Sequence, residues 1–454
     1  MTDNHCIRLL ADILDKLDNL PSGPFWFRDI LEKKYVFPIS LPVGDDQEID
    51  ITPEINRMLA LFSKAVMDVF FESHKSEFTD SEWNQMVKRA FGPALVNRHE
   101  ENRPEEDAAA ILTAVRKTVE DWTREIQPRE YAFGCHLSKI PDLEPLSIGT
   151  VRFEPRRAWL ERMHGSGCAS DIMRSRINRV WEGEHLRKRS ASDDSLRESA
   201  ILRTVGESHF VCSIGVGPMG AEAGPQKALV AARLATTTLA LAWARPSSAL
   251  KFITLTYDRQ PHGRDYVVSS TGGRFGWRSS MSYLRGGDRS LGAEDWDSLR
   301  SNMGKLFDSA GEAVRYVTHG PNEVSRPEMT KALFQALLWF HEGCREVVDS
   351  MAIVKFCSSM EALACGKKSR GILALMKARL RIRDEDKLRK DLKRLYETGR
   401  SQTVHGTNYR LGHDWSDSRS LSEEMARSCL ISCLHWAAEH QQANDPRLLS
   451  QSKK

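Results

Sequence analysis

From residue 325 to residue 440 apolar side chains recur at helical spacing with only short breaks, which restricts this part of the chain to a bundle of helices. Ser325-Arg-Pro-Glu328 spells a capping box, in which the Ser hydroxyl takes the amide three residues on and Glu328 reaches back. Met329, Leu333, Leu337, Phe340 and Cys344 mark the stripe that follows. The next segment uses Met351, Val354, Met360 and Leu363 and stops at Gly366. The spacing then predicts helices over 370–381, 384–398 and 421–440. Five helices with short connections make a bundle.

The rest of the chain has a different texture. At 454 residues it exceeds one ordinary core, so two or three domains are expected. His319-Gly-Pro-Asn322 is the clearest boundary. Three regions follow: 1–128 mainly helical, 129–320 of mixed helix and strand, and 321–445 the bundle. Ile7, Leu10, Ile13, Leu14, Leu17 and Leu20 form a helical stripe ended by Pro21. Residues 35–41 read as a strand that Pro38 confines to an edge. Helices are predicted near 54–74, 80–91 and 106–126, with a charged connector over 99–107. Strands are predicted over 131–135, 148–153, 200–205, 209–214, 250–257 and 265–268. Helices fall between them at 155–163, 170–182 and 223–243, and a further one spans 294–316. The charged, Ser-rich stretch 181–194 reads as an exposed loop, and 272–287 as hairpins or loop. The fold class expected is α+β: a mixed amino-terminal region followed by an all-α bundle.

Composition removes several function classes. A net charge of +3 is nearly balanced, so a nucleic-acid surface must be local. The longest apolar run, 235–243, is too short and polar to span a bilayer, so no membrane partner is expected. Met-Thr-Asp-Asn-His at the start lacks a basic segment followed by an apolar one, which points to a cytoplasmic protein. The nine cysteines contain no C-x-x-C, which argues against a zinc ribbon and for reduced thiols. Cys429 and Cys433, one helical turn apart, read as small core residues in preference to metal ligands.

One stretch carries chemistry: Tyr396-Glu-Thr-Gly-Arg400-Ser-Gln-Thr-Val-His405-Gly406. A guanidinium is always charged and grips two phosphate oxygens at once. An imidazole titrates near neutrality and can take a proton from a ribose 2′-hydroxyl or give one to the leaving oxygen. Five positions along a straight α-helix turn two side chains about 140° apart. Arg400 and His405 therefore meet only through a helix break, for which Gly399 is suited, or through a second copy of the chain. The alternative is that Arg400 pairs with a carboxylate of the bundle and His405 caps a helix. A looser pair, Arg157 and His164, reads as coincidence. Residues 371–400 hold ten Lys or Arg against five Asp or Glu. Arg383, Arg389, Lys393 and Arg394 on that stretch suit an RNA backbone, or simply a solvated face. Tyr396 suits base stacking, or the edge of the core.

Gly215-Val-Gly217-Pro-Met-Gly220 has the spelling of a dinucleotide-binding turn between strand and helix. Pro218 removes an amide from it, Gly224-Pro225 blurs the helix start, and Asp258 comes too late for the ribose acid. A plain glycine-rich turn is the preferred reading, and no cofactor is expected.

Taken together, the helix ending Phe356-Cys-Ser-Ser-Met-Glu361-Ala-Leu-Ala, the basic helix Leu388–Tyr396, the Arg400-Ser-Gln-Thr-Val-His405-Gly406 motif and the long closing helix resemble the HEPN superfamily. The likeness is to its ApeA-like branch and covers about 322–442. It implies a metal-independent endoribonuclease working as a homodimer, with two Arg/His pairs lining one cleft. Arg400 and His405 would be catalytic, with Ser401 and Glu361 supporting. Active members often carry Asn, Asp or His after the Arg, where this chain has Ser401. The resemblance also implies a toxin or phage-defence effector whose amino-terminal region senses a phage-derived trigger or an antitoxin. The competing expectation is a non-catalytic HEPN module for dimerisation or for nucleotide or RNA binding.

Overall fold

The structure, a computed structural model, describes residues 3–20, 39–44, 47–96, 104–138, 140, 143–258, 263–269, 275–281, 293–407 and 412–451. The fold is α+β, with a small antiparallel sheet region and a predominance of helix. The chain forms two compact units. The first takes Met1–Arg129 and Gly217–Gln226; the second takes Glu130–Val216 and Lys227–Lys454.

In the first unit, helices α1 (Asp3–Asp18), α2 (Pro53–Phe70), α3 (Asp80–Val96) and α4 (Pro104–Glu125) accompany a hairpin of strands β1 (Ile39–Gly44) and β2 (Gln47–Ile51). The hairpin is antiparallel and pairs Ile39 with Ile51. Residues 35–38 of the expected strand, and 99–103 of the charged connector, lie outside the described residues. The helical stripe read from the amino terminus does face inward: Leu10, Ile13 and Leu14 are fully buried with Leu41, Phe62 and Phe91. Thr52 sets the start of α2, since its hydroxyl accepts the Ile55 amide at 3.1 Å and Pro53 brings a helical φ to the first turn.

The second unit contains a five-stranded sheet of β3 (Arg129–His136), β4 (Leu146–Ile148), β5 (Val151–Pro155), β6 (Phe210–Val216) and β7 (Thr254–Leu255), in the order β4-β5-β6-β3-β7. β4 and β6 both run antiparallel to β5, with Phe153 opposite Cys212, both fully buried. Helices α5 (Arg156–Gly165), α6 (Asp171–Trp181) and α7 (Asp193–Val205) join β5 to β6, and Trp159, Leu160, Met173, Ile177 and Val205 form a small core among them. The strand expected at 200–205 is thus the end of a helix. Its Ile and Val suggested a strand, but Ser192 and Ser195 cap each other's backbone amides reciprocally and start a helix upstream. Glu198, 6 % exposed, then anchors that helix through Arg176 at 3.0 Å. The strand expected at 250–257 is reduced to β7, after α8 (Ala223–Ala240) and the short α9 (Pro246–Ala249). A separate hairpin, β8 (Gly263–Ser269) with β9 (Phe275–Met281), includes the strand expected at 265–268. The helix expected over 294–316 divides at Met303 into α10 (Ala293–Asn302) and α11 (Gly304–His319).

The bundle comprises α12 (Pro327–Arg345), α13 (Asp349–Leu363), α14 (Lys368–Arg379), α15 (Glu385–Lys393), a π-helical turn (Arg394–Ser401), α16 (Gln402–Val404) and α17 (Ser416–Glu439). The stripe Met329, Leu333, Leu337 and Phe340 is fully buried, as are Cys429 and Cys433. The capping box at Ser325 does not form. Arg326 is the residue flanking the helix, and the Glu328 amide donates to the Asn444 side chain at 2.9 Å. Arg326 is 1 % exposed, and burying it decides the local conformation. Its guanidinium pairs with Glu312 at 2.6 Å and donates to the carbonyls of Ala437 and His440 at the end of α17. A cation at a helix carboxyl end is stabilising. Among the described residues no helix is long and apolar enough to cross a membrane.

Candidate active site in the carboxyl-terminal bundle

α15 starts cleanly, with the Asp384 carboxylate accepting the Lys387 amide at 2.9 Å. It continues without a break into the π-helical turn. Such turns contain one residue more per hydrogen-bonded ring than an α-helix, and they recur at functional sites. Two contacts with α13 accompany it. A Cβ on Gly399 would lie 2.9 Å from Ile353 Cγ2, so only glycine lets the turn lie this close. On the other side, both Tyr396 and Arg400 reach Glu361.

Glu361 is the centre of the cluster. Its Oε2 receives the Arg400 Nη2 at 3.0 Å, and its Oε1 receives the Tyr396 hydroxyl. The Arg400 guanidinium also lies over the Tyr396 ring, 5.2 Å from its centroid, as a cation–π contact. Burial, and then the neighbouring Glu361, push the Tyr396 phenol above its ordinary range, so it remains a proton donor. The same two causes push the Cys357 thiol up to about 12, which leaves it un-ionised at neutral pH. The Arg400 side chain retains 25 % exposure. Its Nε is buried without a hydrogen-bond partner among the described residues, while Nη donors not used by Glu361 remain for another oxygen.

His405 is not joined to this cluster. It is exposed at the end of α16, where its amide closes on the Ser401 carbonyl at 3.0 Å and Gly406, at φ +68°, ends the helix. No hydrogen bond or ion pair connects Arg400 with His405. Ser401 is half-buried at the last position of the π-helical turn. The break expected at Gly399 is absent: the backbone stays helical from Arg394 to Val404, first as π and then as α.

The basic positions on α15 are exposed and already face carboxylates on their own helix. Arg389 pairs with Glu385 at 2.5 Å, Arg394 with Asp391 at 3.5 Å, and Lys393 approaches Glu397 at 4.0 Å. Such exposed pairs are weak and exchange readily for other anions. Tyr396, by contrast, is 6 % exposed and lies beneath Arg400. Arg157 and His164 bind different carboxylates, Glu182 at 3.1 Å and Asp171 at 3.0 Å. Among the described residues no three His, Cys, Asp or Glu side chains are grouped as a metal would need.

The glycine turn before α8 shows why it does not present amides to a phosphate. The Glu82 carboxylate accepts the amides of both Glu222 and Ala223, the latter at 3.0 Å. The chain's own carboxylate thus fills the position an anion would take. Sequence reasoning missed that role for Glu82, and its 140 residues of separation from Glu222 left no local signal.

No protein-family model matches the chain, and no curated protein and no solved structure is significantly similar to it.

Proposed function

We propose that the carboxyl-terminal bundle is a HEPN-type domain and that the protein is a metal-independent endoribonuclease. The observation that carries this reading is the Glu361–Tyr396–Arg400 cluster at a π-helical turn, with the imidazole of His405 exposed at the end of the same helical segment. Glu361 and Tyr396 orient the guanidinium, and its remaining donors grip a phosphate. The ribose 2′-hydroxyl attacks the adjacent phosphorus and the bond to the 5′-oxygen breaks. His405 takes or gives the proton, and Arg400 stabilises the charge that builds on the phosphoryl oxygens. The products are a 2′,3′-cyclic phosphate and a 5′-hydroxyl, and DNA is not cut. Within one copy Arg400 and His405 have no direct link, so the reading includes a homodimer in which each cleft collects groups from both copies. Arg389, Lys393 and Arg394 guide the RNA backbone, while Tyr396 positions Arg400. In the cell this is a cytoplasmic toxin or phage-defence effector, with the rest of the chain responding to a trigger or an antitoxin.

The test is incubation of purified protein with total RNA in EDTA, with the new ends mapped. Cleavage is expected to fall about 10²–10⁴-fold in His405→Ala. It falls about 10²–10³-fold in Arg400→Ala. RNA binding without cleavage in the unaltered protein would instead establish the second reading, a non-catalytic module. Two observations favour that alternative: Ser401 after the motif Arg, and the ion pair that already occupies part of Arg400.

A further inference from the structure

The first unit contains a cavity of about 380 Å³ between α3, the end of α4 and the segment Gly217–Gln226. That volume lies in the range of small-molecule sites. Phe78, Met86 and Trp122 give it an apolar, aromatic wall, and all three are half-buried against the unit's core. Among the described residues three charged side chains line it, and two are already engaged. Glu82 accepts the Thr79 and Ala223 amides at 3.0 Å as well as that of Glu222. Glu222 in turn accepts the Thr79 hydroxyl at 3.0 Å. Arg89 is exposed at the cavity and makes no hydrogen bond, ion pair or ring contact with any described residue. The wall closes because Gly220 has no side chain: a Cβ there would lie 2.5 Å from Glu82 Oε1.

We infer that this cavity binds a small planar ligand carrying one acid group, such as an aromatic carboxylate or sulfonate. The aromatic wall takes the flat body, whose burial supplies the affinity. Arg89 takes the acid group, and a guanidinium beside a low-dielectric wall favours an anion more than it would in open water. A polyphosphate or a nucleic-acid strand does not suit the site, because the other two charged groups among its described lining residues, Glu82 and Glu222, are carboxylates. A cation finds its carboxylates engaged and a positive charge in the way.

The proposal is tested on the full-length protein by fluorescence titration with two probes of one shape, 1-anilinonaphthalene-8-sulfonate and the uncharged N-phenyl-1-naphthylamine. One saturable sulfonate site is expected. Arg89→Met weakens the sulfonate about tenfold, corresponding to about 1.4 kcal/mol, and leaves the naphthylamine within about twofold. Trp122→Leu weakens both probes. Arg89 is exposed, so its substitution leaves folding intact, which the thermal melt verifies. Sulfonate binding that is unsaturable, or that is unchanged in Arg89→Met, overturns the proposal.

Discussion

Glu361 accepts from two donors whose needs differ. Arg400 requires a carboxylate charge, whereas Tyr396 requires only an acceptor. Exchanging Tyr396 for Phe leaves the ring beneath Arg400 but removes one donor from a carboxylate that is 14 % exposed. A hydrogen bond to a charged group is worth about 1.5–3 kcal/mol. Tyr396→Phe is therefore expected to lower the unfolding free energy by about 2 kcal/mol in urea titration. An unchanged midpoint would show that the hydroxyl contributes nothing to Glu361. Glu361→Gln discriminates further: it keeps an acceptor for Tyr396 and removes the charge from Arg400. RNA cleavage is expected to fall in Glu361→Gln while Tyr396 stays bonded, and retained full cleavage would remove the proposed orienting role. The proposed pairing of an Arg and a His for phosphate chemistry rests on residue type alone, which the sequence supplies. That Arg400 could pair with a carboxylate of the bundle was legible too, but not that Tyr396 and Arg400 share Glu361, since those contacts cross 35 and 39 residues and depend on the phase of two helices.

At the scale of elements, the bundle was readable because apolar periodicity alone determines which face of a helix is buried, and Leu333, Leu337 and Phe340 are fully buried as that rule requires. Two of three departures have one physical origin, a distant contact that overrides a local preference. Arg326 is buried against Glu312 and α17, so Ser325 never caps α12. The helix over 193–205 instead starts locally, at the reciprocal Ser192–Ser195 cap, and Glu198 then ties it to Arg176. Gly399 lies against Ile353, and the helix takes a π turn where a break was expected. This last contact predicts a specific pattern of energies. Gly399→Ala places a methyl 2.9 Å from Ile353 Cγ2, and overpacking of this kind costs about 1–3 kcal/mol. Ile353→Ala removes the opposing atom and leaves a cavity of its own. The double variant is expected to be more stable than the two single losses summed, with a coupling of about 1 kcal/mol. Strict additivity in chemical denaturation would mean that the glycine is not required for this approach.

For the whole molecule, the division into two units decides which part acid attacks first. His209, His319 and His341 all lie in the second unit, and burial is the first cause holding each of them below the ordinary imidazole range. His341 is the extreme case. It is 3 % exposed, bonded through Nδ1 to the Thr237 hydroxyl at 2.8 Å, and held down to about 3 by burial and then by Arg345 and Arg233, against the opposing pull of Asp258. The folded imidazole stays neutral where the unfolded one, near 6.5, becomes charged. Between those values the unfolded chain binds a proton that the folded chain does not, so stability rises with pH and is lost as pH falls below about 6.5. From pH 7 to pH 5 His341 alone removes about 2 kcal/mol. Thermal melts should therefore shift downward over that interval, before most carboxylates titrate. His341→Gln keeps a polar partner for Thr237 without a titrating ring, and is expected to flatten the shift by about that amount. An equally steep acid shift in His341→Gln would place the acid-sensitive group elsewhere in the unit.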